Sequence, residues 1–527
     1  MEKQLLLGDE AIAQAAIDAG ISGVYAYPGT PSTEITEYIQ HHSKLKNLQI
    51  ANRWSSNEKT AMESALGMSY IGKRALCCMK HVGLNVAADA FVNSGITGVN
   101  GGLVIVAADD PSMHSSQNEQ DSRFYGDFSF IPIMEPSNQQ EAYDMTRKAF
   151  ELSEKHKTPV LLRITTRLAH SRSGVTSASS LPQKQISLPV DSSQFILLPA
   201  LARKRYKKLL SLQPELEWES LTSSFNRYVE GNDKSLGIVA AGIGYNYLME
   251  NYPNGCPYSV VKIAQYPLPK ELFVRLADSC DRILVIEEGF PFIEQKLRGL
   301  LDDTLLVSGR MDGILPRDGE LTPDTVAEAL GFEVKKGEEV PAIVMNRPPA
   351  LCQGCGHRDM YAALNDVVNR YPDHRVFGDI GCYTLGALPP FRAIHACVDM
   401  GASITMAKGA SEGGLWPAVA VIGDSTFTHS GMTGLLDCVN SKANVTIVIS
   451  DNETTGMTGG QDSAGTGKIE AIVAGLGVAP DHIRVFEPLK KNMEEMKQII
   501  EEEVNYRGVS VLIPRRECIQ TLKRKRN

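Results

Sequence analysis

The strongest pattern in the chain is a pair of apolar runs separated by one helix-length segment. Pro417–Ile422 and Val445–Ile449 are rich in valine, isoleucine and alanine, which predicts two neighbouring parallel strands of a buried sheet. Each run ends in a polar pair, first Gly423-Asp424 and then Asp451-Asn452. Because open parallel sheets bind ligands at the carboxyl ends of their strands, both polar pairs are candidates for one site.

Two explanations of these polar pairs stay open from the residues alone. Asp424 and Asn452 carry the oxygen donors that Mg²⁺ prefers, and Gly423 would let the backbone approach a phosphate closely. The same residue types are also common in ordinary turns after a strand. Upstream, the small residues Gly401-Ala402-Ser403 are suited to cradling a diphosphate.

The same strand–helix alternation predicts a multidomain α/β protein with parallel sheets. Short apolar runs at Val24–Tyr27, Ala75–Met79, Gly102–Ala108 and Val160–Ile164 predict a first domain over residues 1–175. Ser171–Gln194 is rich in serine, proline and glutamine and predicts a loop, and Leu201–Leu221 has a helical pattern with a break expected at Pro214. Together these segments predict a connector over 176–234. Alternation resumes in a smaller domain at 235–335, and 336–527 forms the last domain.

Several polar residues of the first domain lie where strands end or helices begin. Ser55-Ser56-Asn57-Glu58 opens a predicted helix, and the simplest explanation is a capping box with Ser55 as cap and Glu58 bonding back to it. Tyr27–Ser32 is a proline-rich turn that caps the next helix. Four cations follow strand ends and are either surface residues or partners for a substrate carboxylate: Lys80, His81, His114 and Arg123. Arg123 is preferred, because a guanidinium fork matches a carboxylate. Glu287-Glu288 is interpreted as a turn after a strand.

Composition and charge exclude several classes of function. The chain has 527 residues and a net charge of -9, which gives no electrostatic support to nucleic-acid binding. The first ten residues lack the apolar core of a signal peptide, and no apolar run reaches membrane-spanning length, so a cytoplasmic location is expected. In that compartment the ten cysteines are expected to be thiols or metal ligands rather than disulfides.

One cysteine pair has the spacing of a metal or cluster motif. Cys352 and Cys355 form C-x2-C, which suits a zinc ion or an iron–sulfur cluster once two more ligands are supplied. Cys382 follows Gly-Asp-Ile-Gly, and Cys518 lies near the end of the chain. Both are candidates for the missing ligands.

Longer motifs give the chain a resemblance to a known family. Gly423-Asp424-Ser425 followed by Asn452 resembles the magnesium motif of thiamine diphosphate enzymes, although many members have glycine where this chain has Ser425. Tyr27–Ser32 resembles the Y-P-x-T-P-S segment of 2-oxoacid:ferredoxin oxidoreductases. Together with Met79–Asp89, Ala108–Gln120 and Gly378–Pro389, these motifs make nearly the whole chain similar to the large subunits of indolepyruvate:ferredoxin oxidoreductases.

The resemblance implies a role for individual residues. Glu58 would lie against the aminopyrimidine of thiamine diphosphate, Thr30 would line the substrate pocket, and Arg123 stays the candidate for the substrate carboxylate. Asp424, Asn452 and the carbonyl of Thr454 would bind Mg²⁺. Further cofactor contacts are expected from Gly423, Ser425, Gly401, Ala402, Ser403, Gly381 and Tyr383. Cys352, Cys355, Cys382 and Cys518 match the family's order of ligands for one [4Fe–4S] cluster.

The resemblance also implies the architecture and the reaction. Two thiamine diphosphate-binding domains, for the pyrimidine and the diphosphate, would flank a domain like the C-terminal domain of transketolase. The expected reaction is oxidative decarboxylation of an aryl-pyruvate with coenzyme A, giving an aryl-acetyl-CoA, CO₂ and reduced ferredoxin. An external ferredoxin and a small beta subunit are the expected partners, in an alpha2beta2 assembly. Alternatives are an oxidoreductase for another 2-oxoacid, a non-oxidative 2-oxoacid decarboxylase, or a regulatory protein that keeps the fold.

Overall fold

The computed structural model describes residues 3–526 apart from 47, 302–304, 335–336, 338–340, 342 and 346–348. The chain divides into two compact units, Met1–Glu338 and Glu339–Asn527. The first unit contains the segments predicted as the first domain, the connector and the smaller domain, whose separate boundaries stay a prediction. The predicted fold class, α/β with several parallel sheets, is confirmed.

The first unit contains a six-stranded and a five-stranded sheet, both largely parallel, and a small antiparallel pair. Its strands are β1 (Lys3–Leu7), β2 (Gly23–Ala26), β3 (Ala75–Lys80), β4 (Leu103–Asp109), β5 (Ile133–Met134), β6 (Val160–Thr165), β7 (Arg172–Thr176), β8 (Arg227–Val229), β9 (Asp233–Ala241), β10 (Tyr258–Ile263), β11 (Gln265–Tyr266), β12 (Arg282–Ile286) and β13 (Leu306–Ser308). The six-stranded sheet has the order β11-β5-β6-β4-β3-β2, and the five-stranded sheet the order β13-β12-β9-β10-β8. The chain therefore passes directly from one sheet to the other between β10 and β11.

Helices cover the sheets of the first unit. They are α1 (Gly8–Asp18), α2 (Thr33–Lys46), α3 (Glu58–Tyr70), α4 (His81–Thr97), α5 (Arg123–Phe128), α6 (Gln139–His156), α7 (Thr166–His170), α8 (Pro199–Leu221), α9 (Ile243–Asn251), α10 (Lys270–Ala277), α11 (Phe292–Arg298) and α12 (Pro323–Ala329). The central strand β4 is buried along its whole length, as expected for a parallel strand with helices on both faces. Two apolar clusters each combine residues of both sheets.

The second unit is built on one six-stranded parallel sheet with the order β15-β14-β16-β17-β21-β20. Its elements are α13 (Gly356–Val368), β14 (Arg375–Gly378), β15 (Ala396–Cys397), α14 (Ala402–Glu412), β16 (Ala418–Gly423), α15 (Asp424–Thr426), α16 (Met432–Ser441), β17 (Val445–Ser450), β18 (Thr454–Thr455), β19 (Gln461–Asp462), α17 (Ile469–Gly475), β20 (Ile483–Phe486), α18 (Met493–Asn505), β21 (Val509–Pro514) and α19 (Ile519–Arg526). Both predicted apolar runs are strands, β16 and β17, and every residue in them is buried.

Three local predictions were wrong. Part of the expected loop Ser171–Gln194 forms β7, which pairs with β1 at the other end of the first domain, a long-range contact that local composition does not reveal. Helix α8 continues through Pro214, and its two halves are held by the buried side chains of Leu209 and Leu216. The cap of α3 is Asn57 and not Ser55: the Asn57 side chain accepts a hydrogen bond from the Thr60 amide at 2.8 Å.

Among the residues that the structure describes, no helix combines the length and the apolar character needed to cross a bilayer.

Candidate functional site

The two predicted polar pairs lie at the same edge of the sheet in the second unit. Strand β16 runs parallel to β17, with Gly423 in register with Ser450, so Asp424 and Asp451 follow neighbouring strands directly. Asp424 begins a short helix whose N-terminus favours negative charge on a ligand. The predicted convergence of this edge is therefore confirmed.

Asp424 carries an oxygen that the protein itself does not satisfy. Its side chain is 2% exposed, and its Oδ2 atom has no hydrogen-bond partner among the described residues. Burial raises the pKa of this carboxyl to about 7. A buried carboxylate that lacks a donor on one oxygen fits a bound cation, because an unpaired charge in such a place is costly.

Asn452 and Thr454 form a tight turn at the end of β17. The Thr454 amide donates to Asn452 Oδ1 at 3.2 Å, and the Thr454 side chain is held by Gln461 O at 3.0 Å. Glu453 between them has a φ of +60°, a left-handed conformation that is uncommon for a residue other than glycine. Strained backbone of this kind is found at ligand sites, and it presents the polar groups of this turn at the sheet edge.

The segment that follows Asp424 is a helix with a widened turn. Phe427–Gly431 is π-helical, a feature often found at functional sites. Gly401 packs against this turn with a φ of +104°, and a Cβ atom there would lie 2.7 Å from Ser430 Cβ. A glycine is therefore required at the entry to α14.

The predicted diphosphate cradle is not a set of free donors. The amides of Gly401 and Ser403 both donate to Asp379 Oδ1, at 3.1 and 2.9 Å, and the Ser403 hydroxyl donates to Asp379 Oδ2 at 2.5 Å. The Ala402 amide donates to Asp399 O at 3.4 Å. These hydrogen bonds anchor the start of α14 to the end of β14. Because the amides are occupied, the segment's suitability for a diphosphate rests on its small side chains, which leave room for a ligand.

Gly381, Tyr383 and Ser425 support the same edge. The Tyr383 ring is 3% exposed and fills the space where Gly423 and Gly381 lack side chains. The Gly381 amide donates to Thr384 Oγ1 at 2.9 Å. Ser425 Oγ accepts from Thr455 Oγ1 at 3.1 Å, which ties the Asp424 helix to the turn after β17.

The four predicted cysteines converge on one pocket of about 110 Å³ next to this edge. The Cys518 amide donates to Asn452 O at 3.1 Å, and the Cys355 amide donates to Cys352 O at 3.2 Å. Burial, and then the charges of the neighbouring thiols of Cys518, Cys355 and Cys352, raise the pKa of Cys382 to about 12. Four thiols facing one pocket are the donor set of an iron–sulfur cluster or of zinc.

Glu58 lies inside the first unit instead of capping its helix. Its side chain is 4% exposed, whereas Asn57 and Thr60 satisfy the helix start between themselves. The side chain packs over Gly83 of α4, where a Cβ atom would lie 2.7 Å from Glu58 Oε1. The capping explanation therefore fails for Glu58, and its burial is the position expected of a carboxyl group that meets a ligand ring.

Lys80 and Thr30 are brought together at the carboxyl edge of the first sheet. Lys80 Nζ donates to Ser115 O at 2.8 Å, and Ser115 Oγ donates to Thr30 O at 3.2 Å. Burial lowers the pKa of Lys80 to about 8, although the charges of Asp110 and Glu58 oppose that shift. Of the four predicted cations, Lys80 is therefore the one placed beside both Thr30 and Glu58.

Arg123 has a different surrounding from the one predicted. Its guanidinium is fully buried and donates to Asp121 Oδ1 at 2.9 Å, to Glu287 Oε2 at 2.9 Å and to two backbone carbonyls. Its fork is occupied by the protein's own oxygens, so the assignment to a substrate carboxylate is corrected to a structural role. Arg123, Asp121, Arg163, Glu135 and Glu287 form a group that we name the buried charge cluster.

The two histidines predicted with Arg123 also have partners in the protein. His81 is 1% exposed, and its Nε2 atom lies 3.1 Å from Asn118 O. His114 is half exposed, and its Nε2 atom lies 3.4 Å from Glu320 Oε2. These two contacts are made within the protein, whereas Nδ1 of His81 is buried and has no hydrogen-bond partner among the described residues.

Sequence reasoning missed three residues at these edges. Asp379 anchors the α14 entry, and its pKa is raised by burial to about 6. His357 lies 3.5 Å from Cys355 Sγ, and burial lowers its pKa to about 4, which keeps the ring neutral. His429 is buried in the π-helical turn. The position of His357 two residues after the C-x2-C pair was a signal that could have found it.

Comparison with known proteins gives consistent matches over the whole chain. Residues 14–192 match the family described as "Pyruvate flavodoxin/ferredoxin oxidoreductase, thiamine diP-bdg", and residues 379–513 match "Thiamine pyrophosphate enzyme, C-terminal TPP binding domain". The indolepyruvate oxidoreductase subunit IorA of Archaeoglobus fulgidus is 39% identical over 98% of this chain and 86% of its own length. The subunit of the same name from Thermococcus kodakarensis is 38% identical with the same shares covered.

A solved structure supports the fold. The 2-oxoglutarate:ferredoxin oxidoreductase from Magnetococcus marinus superposes with a TM-score of 0.51 over 62% of this chain and 65% of that chain. Its sequence is 16% identical to this one, so the likeness extends to the fold alone.

Proposed function

We propose, from the premise that the chain belongs to the family of indolepyruvate oxidoreductase IorA subunits, that it catalyses the oxidative decarboxylation of aryl-pyruvates. The family makes the chain a subunit of a thiamine diphosphate-dependent 2-oxoacid:ferredoxin oxidoreductase. The finer proposal is that indolepyruvate and related 2-oxoacids react with coenzyme A to give an aryl-acetyl-CoA and CO₂. Two electrons then leave to ferredoxin, and a small beta subunit completes the enzyme.

The observation that carries this proposal is the unsatisfied oxygen of Asp424. We assign Asp424, Asn452 and the Thr454 carbonyl to Mg²⁺, and the small residues around Gly423 to the diphosphate of the cofactor. When bound, thiamine diphosphate supplies the carbanion chemistry of decarboxylation, and the protein supplies its orientation and electrostatics. Asp424 holds the metal end, and the Tyr383 ring keeps the Gly423 backbone in place.

Glu58 is proposed to hold a proton at the aminopyrimidine of the cofactor. Its carboxyl group is buried and rests on Gly83, so its oxygens are fixed in direction. A positioned carboxyl group that exchanges a proton with a ring nitrogen acts as a general acid–base, an effect typically worth about 10²- to 10⁴-fold in rate.

Lys80 replaces Arg123 as the proposed partner of the substrate carboxylate. It is partly buried, it lies beside Thr30 through Ser115, and it is mostly charged at pH 7 because its pKa is about 8. An ammonium group in this place would orient the 2-oxoacid before it loses CO₂.

The four cysteines are proposed to hold one [4Fe–4S] cluster. Their pocket lies next to Asn452, so electrons released at the cofactor's metal edge would have a nearby acceptor. The presence of this donor set favours the oxidative reaction over a non-oxidative decarboxylase, which needs no electron acceptor.

A glycine-to-alanine pair tests the role of Glu58. We expect Gly83→Ala, assayed with the small subunit, indolepyruvate, coenzyme A and a viologen dye, to lower turnover about 100-fold, because the new methyl group displaces the Glu58 carboxyl. Some loss of melting temperature is expected as well, because the methyl group would also meet Cγ of the buried Glu58 side chain at 2.8 Å. Glu58→Gln should give a similar loss of turnover.

The matched control is Gly67→Ala in the same helix as Glu58. A Cβ atom at Gly67 meets nothing within 4 Å, so this variant should keep full activity. Full activity in Gly83→Ala and Glu58→Gln, together with a lower melting temperature, would show that Glu58 is structural only. Faster turnover of 2-oxoglutarate or pyruvate than of any aryl-pyruvate would contradict the proposed substrate class.

A further inference from the structure

Three side chains of metal-ligand type, none of them assigned a role above, meet in the first unit. Asp9, Glu34 and His170 each offer one ligand atom, and these atoms all lie within 4.8 Å of one another. Asp9 is fully buried, whereas the side chains of Glu34 and His170 are each 35% exposed. The group therefore has a buried floor and a side that faces solvent.

The packing of three helices brings these residues together. Asp9 lies in the first turn of α1, Glu34 in the first turn of α2, and His170 is the last residue of α7. Helix α1 can approach α7 so closely because its first residue is Gly8, where a Cβ atom would lie 2.3 Å from Leu168 O. Backbone packing fixes the three positions, so the ligands are held without large rearrangement.

The two carboxyl groups of this cluster share one counter-charge among the described residues, the imidazole of His170 beside Glu34. Both carboxylate oxygens of Asp9, and Oε2 of Glu34, are buried and have no hydrogen-bond partner. Arg172, the cation nearest in sequence, binds Glu10 at 2.9 Å instead. His170 Nε2 lies 3.5 Å from Glu34 Oε2, which is longer than a normal hydrogen bond. Two buried carboxyl groups that face each other must be bridged by a proton or by a cation, because two bare carboxylates would repel each other.

We propose that Asp9, Glu34 and His170 bind a divalent transition-metal ion of the zinc type. One imidazole nitrogen and two carboxylate oxygens are ligands that zinc accepts, with water in a fourth position on the exposed side. The three ligand atoms lie within 4.8 Å of one another, close enough to surround one ion. A bound ion would join α1, α2 and α7, and so fix the start of α2 directly after the Tyr27–Ser32 turn.

The test compares zinc bound by the full chain and by single variants after equilibrium dialysis against buffered zinc. Asp9→Asn keeps the size of the buried side chain, and His170→Gln changes a partly exposed one. Each is expected to bind one zinc ion fewer than the wild type. Any zinc taken up by Asp424 or by the four cysteines is common to all samples and cancels in the difference.

The matched control is His482→Gln in the second unit. His482 Nδ1 also pairs with a buried glutamate, Glu503, at 2.9 Å, but there Arg484 supplies the positive charge at 3.1 Å. This control should bind as much zinc as the wild type.

Melting temperatures with zinc and with a chelator give a second readout. The wild type should lose more stability on chelation than Asp9→Asn or His170→Gln does. Equal zinc content in all four proteins would overturn the proposal. A gain in stability of Asp9→Asn that is the same with zinc and with chelator would show instead that Asp9 and Glu34 share a proton.

Discussion

Buried charge is handled in opposite ways in two regions of this protein, one in each unit. In the buried charge cluster of the first unit, Arg123 and Arg163 are fully enclosed and donate to carboxylates and backbone carbonyls of their own chain. At the sheet edge of the second unit, Asp424 is almost as deeply buried, but one of its oxygens lacks a donor. Both regions contain residues that the sequence offers as ligands.

The difference shows that burial alone does not identify a functional residue. In the first unit the carboxylate charge is neutralised by arginines, and the guanidinium beside Asp121 contributes to holding the pKa of that carboxyl at about 2 despite its burial. At Asp424 burial outweighs the hydrogen bond from Ser463, no cation contributes, and the pKa of the carboxyl rises to about 7. A buried charged group with an atom that has no hydrogen-bond or charge partner is a candidate ligand site. A buried charged group whose atoms all have partners contributes to the fold.

The largest expected effect comes from breaking the matched cluster. Arg123→Met removes one charge, which leaves the buried Glu287 without its arginine and Asp121 with only the more distant Arg163, at 3.7 Å. We expect a loss of about 3–5 kcal/mol in the free energy of unfolding, measured by denaturant titration.

The control for Arg123→Met is Arg167→Met. Arg167 forms an equally close pair with Glu320, but its side chain is 53% exposed. That variant should lose no more than about 1 kcal/mol. Similar stability of the two variants would show that the ion pairs of the buried charge cluster contribute no more to stability than an exposed pair does.

A smaller effect with a different sign is expected at Asp424. Asp424→Asn removes a buried charge that lacks a donor, so the chain without cofactor should gain about 1–3 kcal/mol of stability or lose none. The same variant should lose magnesium-dependent binding of thiamine diphosphate, measured by calorimetry. If the variant is destabilised and still binds the cofactor, Asp424 has a structural role like the residues of the buried charge cluster.

The smallest expected effect concerns Lys80. Its burial and pairing are intermediate between those of the buried charge cluster and those of Asp424. Because burial lowers its pKa to about 8, the ammonium form decreases about tenfold between pH 7 and pH 9. The KM for the 2-oxoacid should rise by about the same factor, and Lys80→Arg should abolish this rise, since arginine stays charged. A KM with the same pH profile in both proteins would exclude Lys80 from substrate binding.

Most of the sheet architecture follows from local apolar runs. Fully buried parallel strands such as β4, β16 and β17 leave a continuous apolar signal, and the positions of these strands were predicted. The pairing of β7 with β1 and the continuity of α8 through Pro214 depend on contacts far away in sequence. Local propensity does not contain that information.

The sequence identified several residues of the candidate site, but not the contacts that each of them makes. The motifs identified Asp424, Glu58 and the four cysteines, and the structure groups the cysteines in one pocket. Sequence favoured Arg123 over Lys80 because a guanidinium matches a carboxylate, but Arg123 is occupied by Asp121 and by Glu287 and Glu288, which lie more than 160 positions away. Such partners become visible only when the strands are assembled.

The account's central claim is that this chain carries a redox cluster beside the Asp424 edge. The most direct measurement is iron and acid-labile sulfide in the anaerobically reconstituted chain, with Cys382→Ser as the test and Cys256→Ser as the control. The account predicts about four irons per chain in the wild type and in the control, and none in Cys382→Ser. Zinc in place of iron, or the same iron content in all three proteins, would contradict it.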